Sequence, residues 1–78
     1  MRREFYEKNG ILVTYTDDDV AFEDLDTAES ILIANDGSII HNNFEDDPKR
    51  TEYFVKEFEH IYQTVSIFRS LDSIDGVA

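Results

Sequence analysis

Asp17, Asp18 and Asp19 open like the start of a calcium-binding loop. Counting from Asp17, however, the sixth position is Phe22, where the sharp turn of such a loop needs glycine, and the twelfth is Ala28, where it needs a bidentate glutamate. The run therefore reads as a solvated acidic loop. His41 and His60 could share a metal only if the fold brings them together, and no HExxH spacing favours it, so surface polar roles are expected. Carboxylate pairs of the glycosidase kind are abundant by composition alone, so their presence says little. Gly10, Gly37 and Gly76 stand singly, too sparse for a phosphate cradle, and a net charge of −11 repels phosphate. A Ser/His/Asp triad would need a substrate pocket for which 78 residues leave little room. The absence of cysteine excludes disulfides, zinc-thiolate sites and thiol catalysis. The expectation is a protein that is not an enzyme and has no catalytic residues, no metal and no cofactor.

What the chain does have is segregated charge. Residues 16–47 hold Asp17, Asp18, Asp19, Glu23, Asp24, Asp26, Glu29, Asp36, Glu45, Asp46 and Asp47, and no Lys or Arg. The flanks balance, so this segment alone carries the net charge of −11. Solubility needs only scattered charge, whereas one block of a single sign makes a directional field that recruits partners of the opposite sign. Direct nucleic-acid binding is disfavoured, because affinity for DNA or RNA comes from Lys and Arg neutralising phosphates. Conversely, dense one-sided carboxylates can occupy the basic groove of a DNA-binding protein. On a strand, alternate residues lie about 6.7 Å apart on one face, so paired acids can follow a track of cationic side chains. The residues expected to bind such a partner are Asp17, Asp18, Asp19, Glu23, Asp24, Asp26, Glu29, Glu45, Asp46 and Asp47. The alternative is a generic acidic protein–protein interaction module without DNA mimicry.

These acids must be positioned by a single small domain, 1–78. A composition 41% hydrophobic with six Phe and four Tyr is too rich for a disordered acidic tail. No apolar run is long enough for a signal peptide or a membrane span, so a cytoplasmic location is expected. Asn9-Gly10 between residues 3–8 and 11–16 signals a hairpin with a type I′ turn. That loop sets Tyr6 opposite Val13, Lys8 opposite Ile11 and Glu4 opposite Tyr15, leaving Phe5, Leu12 and Thr14 on the other face. Residues 20–28 are ambiguous. Val20 and Phe22 alternate as in a strand, while Ala21, Leu25 and Ala28 line up at helical spacing; the strand reading, over 20–25, is preferred. Residues 30–35 and 38–43 flank Asn35-Asp36-Gly37, a second hairpin whose loop length decides whether Ile33 faces Ile39 or Ile40.

Residues 42–47 read as a polar connection. Asp47 suits an N-cap and Pro48 the first position of a helix over 48–70. Phe54, Phe58, Ile61, Val65 and Phe68, widened by Val55 and Tyr62, form the stripe that will cover the sheet. Residues 72–78 read as a fraying tail. The fold class is thus α+β: an antiparallel sheet of four strands, five with 20–25, packed on one long C-terminal helix. Tyr53, His60, Ile67 and Leu71 fall away from the stripe and form a second apolar patch, the expected contact of a symmetric homodimer.

In size, lack of cysteine, acidity and a β-rich body with acids at 17–19, 23–26 and 45–47, the chain resembles the small DNA-mimic and host-takeover proteins of bacteriophages. Within that group it is similar to phage inhibitors of the histone-like nucleoid-associated protein HU. The resemblance lies in overall character and in no motif. It implies an inhibitor of a basic host DNA-binding protein, acting in the bacterial cytoplasm.

Overall fold

In the computed structural model the backbone of residues 1–77 and the side chains of residues 1–72 are described. Five strands, β1 (Arg3–Lys8), β2 (Ile11–Tyr15), β3 (Asp19–Asp24), β4 (Ser30–Ala34) and β5 (Ile39–Asn42), precede one helix, α1 (Pro48–Val77). The strands form an antiparallel meander in the order β1-β2-β3-β4-β5, so neighbours in sequence are neighbours in space. Of the ambiguous stretch, residues 20–24 belong to the central strand, paired on both sides, and residues 25–28 to the turn that follows it. The helix does not end near residue 70: it runs from Pro48 through Val77 and takes in residues 72–77, expected as a tail. Its 30 residues correspond to about 45 Å, which accounts for the 44 Å long axis of the molecule.

Turn chemistry sets the hairpins. Asn9 and Gly10 have φ of 54° and 80°, the pair of positive values that a type I′ turn requires. At the second hairpin the Gly37 N–H donates to the Ala34 carbonyl and the Ala34 N–H to the Ser38 carbonyl, with Gly37 at φ 89°. This is a three-residue loop, and it places Ile33 opposite Ile39. Ala28, at φ 63°, closes the β3–β4 turn by donating its N–H to the Asp24 carbonyl.

Two irregularities overturn the simple alternation. Tyr6 pairs with Val13 and Lys8 with Ile11 as the turn dictates, but Glu4 pairs with Thr14 and Arg3 with Tyr15, because β1 bulges at Phe5. The extra residue turns Phe5 to the helix side along with Tyr6. There it stands edge-on to Tyr15 and to Phe68, with ring centroids 6.1 and 4.9 Å away. A second shift between Leu32 and Ile33 leaves Ile40 without a partner on β4.

The core lies between the helix and one face of the sheet. Val13 and Tyr15 of β2, Val20 and Phe22 of β3, and Ile31 and Ile33 of β4 meet Phe54, Phe58, Ile61 and Val65 of the helix. Phe68, the last residue of the stripe, is 40% exposed and packs edge-on against Phe5. The connection at 42–47 is not merely polar. Phe44 is 3% exposed, its ring 5.1 Å from that of Phe54, and Thr51 donates its hydroxyl to the Phe44 carbonyl. The Asn42 side chain accepts from the Phe44 N–H and donates to Thr51, so the connection is locked from both sides. Phe44 plugs the end of the core where the chain leaves the sheet.

Truncating it should therefore behave as a core deletion. Phe44→Ala is expected to cost about 3 kcal/mol, a cavity-forming loss. Phe68→Ala should cost well under half as much, and urea unfolding of the two variants checks the ranking.

Candidate functional site

Because the strands alternate in direction, their connections fall at two ends of the sheet. One end joins the 9–10 turn, the 25–29 turn and the 43–47 connection. The Leu25 N–H donates to the Gly10 carbonyl, and the Asn43 N–H to the Ser30 carbonyl. This end collects Asp26, Glu29, Glu45, Asp46 and Asp47, two groups that lie about twenty residues apart in the sequence. The opposite end joins the 16–18 and 35–38 turns, where the Asn35 N–H donates to the Asp18 carbonyl and its side-chain amide to that of Asp17. It presents Asp17, Asp18 and Asp36. The three expected clusters are thus two. Glu23 belongs to neither, since it lies on the sheet face away from the helix, between Leu12 and Ser30.

Local chemistry explains why the acids sit in these turns. Asp47 caps the helix, its carboxylate accepting the Arg50 N–H at 3.1 Å, which satisfies one of the unpaired amides of the first turn. The Asp36 carboxylate accepts the Ser38 hydroxyl and N–H, which hold its pKa below the usual range and brace the loop. The Thr16 hydroxyl accepts the N–H groups of Asp18 and Asp19.

Two of the expected partner-binding acids are already engaged. Asp24 is buried, at 8% exposure, and its carboxylate accepts from the Arg50 guanidinium and from the Asp26 N–H. The same guanidinium stacks over the Phe44 ring, 4.7 Å from its centroid. The Arg50 bond, then the amide, hold Asp24 well below the ordinary carboxylate range. Asp24 is an internal strut and leaves the set of outward-facing acids. Asp19 is half-buried and bonded at 2.6 Å to Arg2, which also donates to Thr14.

The basic residues are spent in the same way. Arg3 pairs with Asp72, Lys56 with Glu52, and Arg69 donates to the backbone carbonyls of Thr16 and Asp19. With Arg2 and Arg50, five of the seven bases are held by groups of the chain itself. Among the described residues the eight acids of the two ends, Asp17, Asp18, Asp26, Glu29, Asp36, Glu45, Asp46 and Asp47, have no ion-pair partner. Sequence spacing did not reveal this division. The one available signal was Arg50 three residues after the cap, a position from which a long side chain can reach back over the helix end.

Tyr53, Ile67 and Leu71 are 59%, 59% and 53% exposed, and His60 is exposed beside them, so the second apolar patch lies open on the helix. Tyr15 is buried under the far half of the helix, and its hydroxyl donates to Asp72 at 2.6 Å; burial and that bond raise its pKa. Among the described residues no three His, Asp or Glu side chains are placed to hold a metal, and no helix is long and apolar enough to cross a membrane.

The Asp24–Arg50 strut makes stability depend on pH. A carboxylate whose folded pKa is depressed stabilises the fold fully above its ordinary pKa of about 3.9, and loses that contribution as pH falls through the folded value. Asp24→Asn is expected to lower the urea midpoint at pH 7. The gap between variant and parent should close as pH is taken below about 4. A gap that stays constant across that range would show that the carboxylate charge contributes nothing. No protein-family model, curated protein or solved structure matches this chain.

Proposed function

We propose that this protein is a non-catalytic acidic inhibitor that occupies the nucleic-acid-binding surface of a basic protein. The observation that carries the reading is the division of charge just described. Five of seven bases are held by groups of the chain itself, while eight acids at the two ends of the sheet have no ion-pair partner among the described residues. A strand of five residues separates the ends by about 17 Å. Duplex DNA carries about ten phosphates over that length, one per roughly 1.7 Å of axis. Eight carboxylates are a comparable charge on a similar span, carried by a folded scaffold. A cationic groove shaped for DNA is the complementary surface, and the resemblance to phage inhibitors of HU suggests a nucleoid protein as the first candidate.

The same proposal takes the protein to act as a symmetric dimer through Tyr53, His60, Ile67 and Leu71. Tyr53, His60 and Ile67 recur every seventh residue, along one line of the helix. Pairing two helices would bury this line and double the number of acidic ends.

Exposed ion pairs each contribute only up to about 1 kcal/mol, so affinity must come from many acting together. Replacing Asp17 alone by Asn should change binding to a histone-like protein little. Neutralising Glu45, Asp46 and Asp47 together should weaken it by about tenfold or more, some 1.4 kcal/mol. In a competition assay, DNA and this protein should displace one another, and affinity should fall steeply with salt, as expected for charges screened over about 10 Å at 0.1 M. A basic partner that holds DNA and this chain at once, with neither weakened, would replace mimicry by a plain interaction module. Dimerisation is read by sedimentation: Ile67→Asp should convert a dimer at tens of micromolar protein into a monomer, and a parent chain that is already monomeric removes the dimer.

A further inference from the structure

The two edges of the sheet are built differently. β1 carries Arg3, Glu4, Glu7 and Lys8 and is kinked by the bulge at Phe5, which are devices that discourage another strand from pairing. β5 reads Ile39-Ile40-His41-Asn42, with no Lys, Arg, Asp, Glu or Pro. Ile39 and Ile40 are 44% and 57% exposed, and one side of the β5 backbone faces no strand. Beside this edge runs an open groove of about 760 Å³, between β5 and the first turns of the helix. Ile39, Ile40, Pro48 and Val55 give it an apolar lining, Glu45 and Glu52 add negative charge, and no Lys or Arg lines it.

We infer that β5 is a docking edge for an extended segment of a partner protein in which the alternate residues that share one face include both apolar and basic side chains. Such a segment pairs its backbone with β5 as a sixth strand. The side chains it turns toward the helix fall in the groove, where the apolar ones cover Ile39 and Val55 and the basic ones meet Glu45 and Glu52. β5 has only four residues and is bulged at Ile40, so main-chain pairing alone is short, and the side-chain contacts must supply much of the affinity. Glu52 pairs with Lys56 on the helix surface, an exposed contact that contributes little and that a bound cation can replace. A second copy of this chain fits the edge less well. Its own β5 brings no base to Glu45 or Glu52, and two chains of net charge −11 repel one another. Of the acids at the two ends of the sheet only Glu45 borders this groove, so docking on β5 does not rest on DNA mimicry.

The test is an NMR titration of the full chain with a short peptide that carries valine and lysine in turn at every second position, with threonine between them. The expected result is a set of backbone amide shifts confined to residues 39–45 and 51–55. The affinity should drop by about tenfold when alternate peptide nitrogens are methylated, which blocks pairing without changing charge, and by a similar factor in the E45Q/E52Q variant. Both substitutions are on exposed side chains, and unchanged circular dichroism confirms that the variant is folded. Three results overturn the proposal: no binding at about 1 mM peptide, equal binding by the methylated peptide, or shifts centred on the acidic turns at 16–18 and 25–29. If the chain alone sediments as a dimer that Ile39→Lys dissociates, the edge belongs to a second copy, and the partner segment is wrong.

Discussion

One helix has to cover a five-stranded sheet, and it is too narrow to do so. Five strands spaced by about 4.8 Å make a sheet roughly 19 Å wide, whereas a helix with its side chains is about 10 to 12 Å across. The helix can therefore seal only the central strands. Burial follows that geometry: β2, β3 and β4 alternate between buried and half-buried residues, while β1 and β5 are mostly exposed. Each flank then needs its own solution. On the β1 side a bulge turns two consecutive aromatics, Phe5 and Tyr6, under the helix. On the β5 side Phe44 reaches back from the connection to close the end of the core, and the rest of that edge is left open.

A core of this size also dictates where charge can go. Burying an unpaired carboxylate costs several kcal/mol, a large fraction of the stability of any small domain. The acids are accordingly pushed into the turns, and the one that is buried, Asp24, has Arg50 and an amide beside it. Distribution over two ends eases self-repulsion, because about 17 Å between them exceeds the roughly 10 Å screening length at 0.1 M salt. Within each end the acids remain close enough to act as a single field. Fold and charge are consistent with one another: the meander sets two ends, and the two ends set two acidic surfaces.

The sequence by itself determined the punctuation of this protein and the stripe of its helix. Asn9-Gly10 and Asn35-Asp36-Gly37 are turns because only residues tolerant of positive φ fit there, and that is a local property. Asp47, Pro48 and the spacing of Phe54, Phe58, Ile61 and Val65 announce the helix start and its buried face for the same kind of reason. Tertiary structure decided what depends on contacts between distant residues. Residues 20–28 were ambiguous until pairing with β2 and β4 on both sides made β3 the centre of the sheet. The bulge at Phe5 reversed an alternation that looked regular, because an aromatic side chain gains more from the helix side than a regular ladder gains from one added pair. Phe44 sits in a run whose every neighbour is polar, and only the gap at the end of the core explains its burial. The outward-facing acids were legible as a group but not individually. Which carboxylate meets solvent and which meets an arginine is set by the distance between residues 24 and 50 in space, and no spacing along the chain records that distance.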